Sequence, residues 1–109
     1  MGMLDFIYDM DNYEERKVAN FQKGKLTVDT CKVSDVREPY ETGIEHPLYN
    51  GGEWVIVECY HSKKAAEVGH KKWVAIMTAK ELPKQLEDCQ NAEVAQLCGT
   101  FGKMVYPKK

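Results

Sequence analysis

Between Glu53 and Met77 the hydrophobic pattern of the chain changes its period. Trp54-Val55-Ile56-Val57-Glu58-Cys59-Tyr60 is β-branched and aromatic, with apolar residues in both alternating sets. Val55, Val57 and Cys59 fall in one set; Trp54, Ile56 and Tyr60 fall in the other. A strand with one face in water alternates cleanly, so this run predicts an interior strand covered at least partly on both faces. Over residues 62–78 the spacing becomes helical. Ala66, Gly69, His70, Trp73, Ile76 and Met77 form an apolar stripe, while Lys63, Lys64, Lys71 and Lys72 lie mostly off it. Ser62 is placed as the N-cap. Pro83 disfavours helix in the residue before it, which puts the helix end near Ala79.

Weaker patterns flank this unit. Leu4, Phe6 and Tyr8 alternate as a first strand, followed by an acidic turn over 9–15. Two further strands, 17–21 and 25–33, are joined by Gln22-Lys23-Gly24. After a loop over 34–39, Tyr40, Thr42, Ile44 and His46 alternate with acids, the signature of a strand with one solvated face. Asn50-Gly51-Gly52 is the turn into the central strand. Downstream, Pro83 is placed to open a helical turn over 83–89, and 92–98 reads as a short helix capped by Asn91 and closed by Gly99. Residues 103–106 suit an edge strand ended by Pro107. The expected fold is α+β: one domain over 1–109, an antiparallel meander of four to five strands packed against one long helix, with a short C-terminal helix.

Composition narrows the function classes. At 109 residues the chain can bury roughly two-thirds of its unfolded surface. A formal charge of −2, with basic residues spread along the sequence, gives no electrostatic footprint for nucleic acid. No apolar run approaches the roughly 20 residues needed to span a bilayer. The amino end carries acids where a signal peptide carries basic residues, so synthesis in the cytosol is expected, and with it four reduced cysteines.

Candidate chemistry is sparse. Neither phosphate-binding glycine motif is present, and the two serines sit in no nucleophile motif. The acids of the 9–15 turn lack the glycine and closing glutamate of a calcium loop. Cys59-Tyr60-His61 has metal-ligand spacing, but zinc would need two more ligands from Cys31, His46, His70, Cys89 or Cys98; none is assigned, and no cofactor is expected. His70 admits two readings: a ligand or general base, or a semi-buried histidine bonded to a carboxylate or carbonyl. The second is expected, because no partnered nucleophile accompanies it. Gly69 implies close approach of the helix backbone to the sheet, since glycine inside a helix costs about 1 kcal/mol relative to alanine. Aromatic residues mark a candidate partner-binding surface, Tyr40, Tyr49, Trp54 and Tyr60, to be covered either by the C-terminal segment or by another protein.

The stretches Asp11-Asn12-Tyr13-Glu14-Glu15-Arg16-Lys17-Val18, Asp29-Thr30-Cys31, Tyr40-Glu41-Thr42, Val57-Glu58-Cys59-Tyr60 and 62–74, above all Gly69-His70-x-x-Trp73, resemble small proteins of tailed bacteriophages and prophages. The resemblance covers residues 4 to about 80 and carries no catalytic residues over. It implies a phage setting, the virion or the host cytoplasm, and says little about the job. With no catalytic motif in the chain, the expected role is non-enzymatic, a structural or assembly accessory acting through protein partners or self-association. The alternative reading is a host-directed factor that binds and inhibits a bacterial enzyme or defence protein, its acidic loops at 9–15 and 35–45 mimicking nucleic-acid charge. A metal-dependent or catalytic role comes third.

Overall fold

The computed structural model describes residues 16–33, 37–89 and 104–109. The strand expected over 4–8, the acidic turn, the short helix over 92–98 and residues 34–36 of the first long loop lie outside them.

Four antiparallel strands, β1 (Lys17–Lys23), β2 (Leu26–Lys32), β3 (Tyr40–Glu45) and β4 (Val55–Tyr60), pair in chain order as the expected meander. A turn of 3-10 helix, Asn50–Gly52, precedes β4. The helix α1 (Lys63–Met77) then folds back across one face of the sheet. Ser62 caps it, its hydroxyl accepting from the Ala65 N–H at 3.1 Å. The alternation in β2 and β3 decides which face α1 covers. Leu26, Val28 and Thr30, with Thr42 and Ile44 opposite, are all buried beneath the helix. Val55, Met77, Tyr49 and Leu86 complete the core, and each such side chain is worth about 1.5–3 kcal/mol when taken fully out of water.

Two features depart from the sequence pattern. The first is a β-bulge in β4: Ile44 faces Val55 and Gly43 faces Ile56, but Thr42 faces Glu58. Two residues, Val57 and Glu58, therefore oppose one, and the alternation reverses beyond them. Tyr60 turns under the helix, where it is 6% exposed, and Cys59 turns to the outer face, the opposite of the simple alternation expected for this strand.

The second concerns residues 83–89, which form a strand and not a helical turn. Gln85–Asp88 (β5) pairs antiparallel with Met104–Pro107 (β6) in a separate two-stranded sheet. Leu86 and Asp88 point inward while Gln85 and Glu87 are exposed, a period of two that no helical turn satisfies. The Cys89 N–H donates to the Ile56 carbonyl at 2.8 Å and ties the end of β5 to β4. The strand expected at 103–106 is thus found as β6, paired with β5 and running through Pro107. The observed class is α+β: a four-stranded antiparallel sheet, one long helix and a two-stranded sheet.

Candidate functional site

Beneath α1 a line of polar side chains crosses the sheet. His70 Nδ1 lies 2.8 Å from Thr30 Oγ1, which lies 2.6 Å from Thr42 Oγ1, itself 3.0 Å from the Tyr60 hydroxyl. That hydroxyl donates to Glu58 Oε1 at 3.1 Å. The same oxygen accepts from Lys72 Nζ at 2.6 Å and from the Trp73 indole N–H at 2.9 Å. One hydrogen per hydroxyl sets the direction. Tyr60 gives its proton to the carboxylate, so it accepts from Thr42, which accepts from Thr30, which accepts from His70. His70 therefore carries its hydrogen on Nδ1, and the chain runs His70, Thr30, Thr42, Tyr60, Glu58.

The electrostatics follow this arrangement. Burial lowers the pKa of His70 against the opposing pull of Asp29, which favours the neutral ring. Burial pushes the Tyr60 phenol up. Burial would also raise Glu58, but the hydrogen bonds from Lys72, Trp73 and Tyr60 outweigh it and hold the carboxyl below its usual range. Among the described residues no buried side-chain nitrogen or oxygen lacks a partner. His70 is bonded to a hydroxyl, where a carboxylate or carbonyl was expected. Gly69 is explained in the same place: a Cβ there would collide with the ring and hydroxyl of Tyr60, so the phenol packs against bare helix backbone.

The four aromatic residues read from the sequence as a partner surface separate in space. Tyr60 lies in the chain just described. Tyr49 is 1% exposed, its hydroxyl donating to the Pro83 carbonyl at 2.6 Å and its ring edge-on to His46 at 5.5 Å. Tyr40 is half-buried at the end of β3. Trp54 is the one on an open face, 42% exposed. Its indole lies against Gly43, where an added Cβ would stand 3.2 Å from Trp54 Cε3 and 3.3 Å from Ile56 Cδ1. The Asn50 side-chain amide holds the Trp54 carbonyl at 3.1 Å.

Trp54, Gly43, Ile56, Asp29, Cys31 and Glu41 bound a hollow of about 180 Å³ on the sheet face opposite α1. Glu41 is raised by burial and then by the Asp88 and Asp29 carboxylates. Burial and the carboxylates of Asp29 and Glu41 push the Cys31 thiol up to about 11. In both, burial is the largest cause and neighbouring carboxylates add to it, while Arg16 pulls the Cys31 thiol the other way. Of the residues considered for metal, His61 bonds to the Arg37 carbonyl at 3.1 Å and lies 3.7 Å from Glu38, while His70 is bonded to Thr30. Among the described residues no three His, Cys, Asp or Glu side chains come together as a metal site. The acidic hollow was missed in the sequence because its acids come from separate strands; the strict alternation of Glu41, Gly43 and Glu45 was its only local signal.

Comparisons with protein-family models, with curated proteins and with solved structures give no match.

Proposed function

We propose that the protein works without catalysis, by docking a partner protein onto the outer face of its four-stranded sheet around Trp54. The observation that carries this reading is the exposed indole seated on Gly43 beside the acid-walled hollow. An indole face with carboxylates beside it suits an arginine or lysine side chain, which stacks on the ring and pairs with Glu41. The partner is therefore a protein presenting a basic segment. His70, Tyr60 and Glu58, the groups an enzyme would use, are engaged with one another in one satisfied chain, which suits a structural role for them.

The phage resemblance of residues 4 to about 80 supplies the setting, an accessory of a virion or of its assembly. A host-directed inhibitor is the second reading, favoured by Glu41 and Glu45 sharing the outer face with Asp29. Particles purified after infection with wild-type and Trp54→Glu phage separate the two. Loss of the variant chain from otherwise intact particles supports the accessory reading. A chain found in infected cells but not in particles overturns it in favour of the inhibitor.

A further inference from the structure

On the outer face, across the β3–β4 pairing from Glu41 of the Trp54 hollow, two cysteines from different elements meet. Cys59 Sγ lies 3.3 Å from Cys89 Sγ, and both residues are half-buried. Two constraints bring them together: the bulge in β4 turns Cys59 outward, and the bond from the Cys89 N–H to the Ile56 carbonyl fixes the backbone just past β5. Cys31 shares this face but is two strands away, with Glu41 between it and Cys59 in the register, roughly 10 Å at the usual strand spacing. Among the described cysteines the contact is specific to one pair.

We propose that Cys59 and Cys89 form a dithiol site that reacts with small-molecule disulfides and closes to an intramolecular disulfide. The sulfurs need to approach by about 1.2 Å to reach bonding distance, within reach of side-chain rotation about Cα–Cβ. The exchange has two steps. One cysteine, as thiolate, attacks a sulfur of the small disulfide; a mixed disulfide forms, and one small thiol leaves with the proton. The second cysteine then attacks the protein sulfur of that mixed disulfide and expels the second small thiol, which takes the second proton. Two protein thiols are oxidised and one small disulfide is reduced to two thiols.

The surroundings set the preference. The hydrogen bond with Cys89, burial, and the Glu41 and Glu38 carboxylates all push the Cys59 thiol up, so reaction is slow at neutral pH. The same carboxylates favour a cationic disulfide over an anionic one. The product ties β4 to the end of β5 and clamps the two-stranded sheet against the main one.

The test treats the reduced full-length chain with cystamine, a dicationic disulfide, followed by intact-mass measurement and peptide mapping. The expected product is about 2 Da lighter than the reduced chain, as two thiol hydrogens are lost, and carries a Cys59–Cys89 cross-linked peptide. Cys31→Ser is expected to react in the same way. Cys59→Ser and Cys89→Ser are expected to lose the cross-link and to hold cysteamine on the remaining cysteine. Glutathione disulfide, which is anionic, is expected to react more slowly. Stable cysteamine adducts on both Cys59 and Cys89 of the wild-type chain overturn the proposal. So does a cross-link to Cys31 or Cys98, or an unreacted native chain under conditions that oxidise the same chain in guanidinium.

Discussion

The contact between Gly69 and Tyr60 couples a residue with no side chain to the largest polar side chain under the helix. Replacing glycine by alanine in an exposed helix would stabilise it by about 1 kcal/mol. Here the new Cβ meets the aromatic ring of a buried tyrosine, and overpacking of that kind costs about 1–3 kcal/mol. Gly69→Ala is therefore expected to lower the urea midpoint; a gain in stability would show that the phenol does not sit against the helix backbone. Tyr60→Phe keeps the ring but leaves the Thr42 hydroxyl without its acceptor and removes one donor from Glu58. A loss of about 2 kcal/mol is expected, since the Thr42 hydroxyl is left buried and unpaired. Trp73 is half-buried, and part of its worth is its indole bond to Glu58. The full core cost of about 3–5 kcal/mol for truncation to alanine is accordingly an upper bound.

At the scale of elements, the seam between α1 and the sheet is sensitive to acid. The folded pKa of His70 lies below its usual 6.5, so the fold favours the neutral ring. Its contribution to stability is complete above that value and is lost as the pH falls through the folded pKa. Glu58 is also depressed, from a usual 4.5, so its contribution is complete above 4.5 and is lost at lower pH. Glu41, raised by burial and then by Asp88 and Asp29, acts in the opposite sense: its contribution is present below 4.5 and is lost as the pH rises through its folded value. Urea midpoints measured across this range are expected to fall on acidification below 6.5. In His70→Asn, whose amide can donate to Thr30 without titrating, the fall just below 6.5 is expected to shrink to the part due to His46, whose pKa burial also lowers and whose Nδ1 accepts from the Leu48 N–H. An unchanged profile would remove His70 as its source.

The elements also show what the sequence can reveal. The meander and α1 were legible because Leu26-Val28-Thr30, Thr42-Ile44 and the 66–77 stripe each follow the period of the structure they form. β5 was not, because it has four residues behind a proline and its partner β6 begins at Met104, so the stabilising pairing is not local. The bulge at Val57 and Glu58 was hidden for a different reason: two residues facing one leave no mark on hydrophobicity, yet they decide the side taken by Tyr60 and Cys59. Tyr49 looked like a surface residue because it stands just before the Asn50-Gly51-Gly52 turn, whereas its hydroxyl finds the Pro83 carbonyl across the core. Of the aromatic surface read from the sequence, Trp54 keeps an open face and Tyr40 an intermediate one. The acid-walled hollow beside Trp54 needed the strand register to be seen.

For the molecule as a whole, the helix and the hydrogen-bonded chain occupy one side of the sheet, and Trp54 stands on the other. The interior carries the stability, and the outer face carries the proposed partner contact. Trp54→Glu is expected to lower the unfolding midpoint while leaving the core beneath α1 intact, because it uncovers Gly43 and Ile56 and sets a further carboxylate beside Asp29 and Glu41. The most direct test is quantitative mass spectrometry of purified phage particles carrying the wild-type chain or the Trp54→Glu chain, with both shown to be folded by circular dichroism. The account predicts a wild-type copy number matching a symmetric ring or shell and at least a tenfold loss of the variant, which corresponds to about 1.4 kcal/mol of contact energy. Equal incorporation of the two chains, or no wild-type chain in the particles, would contradict it.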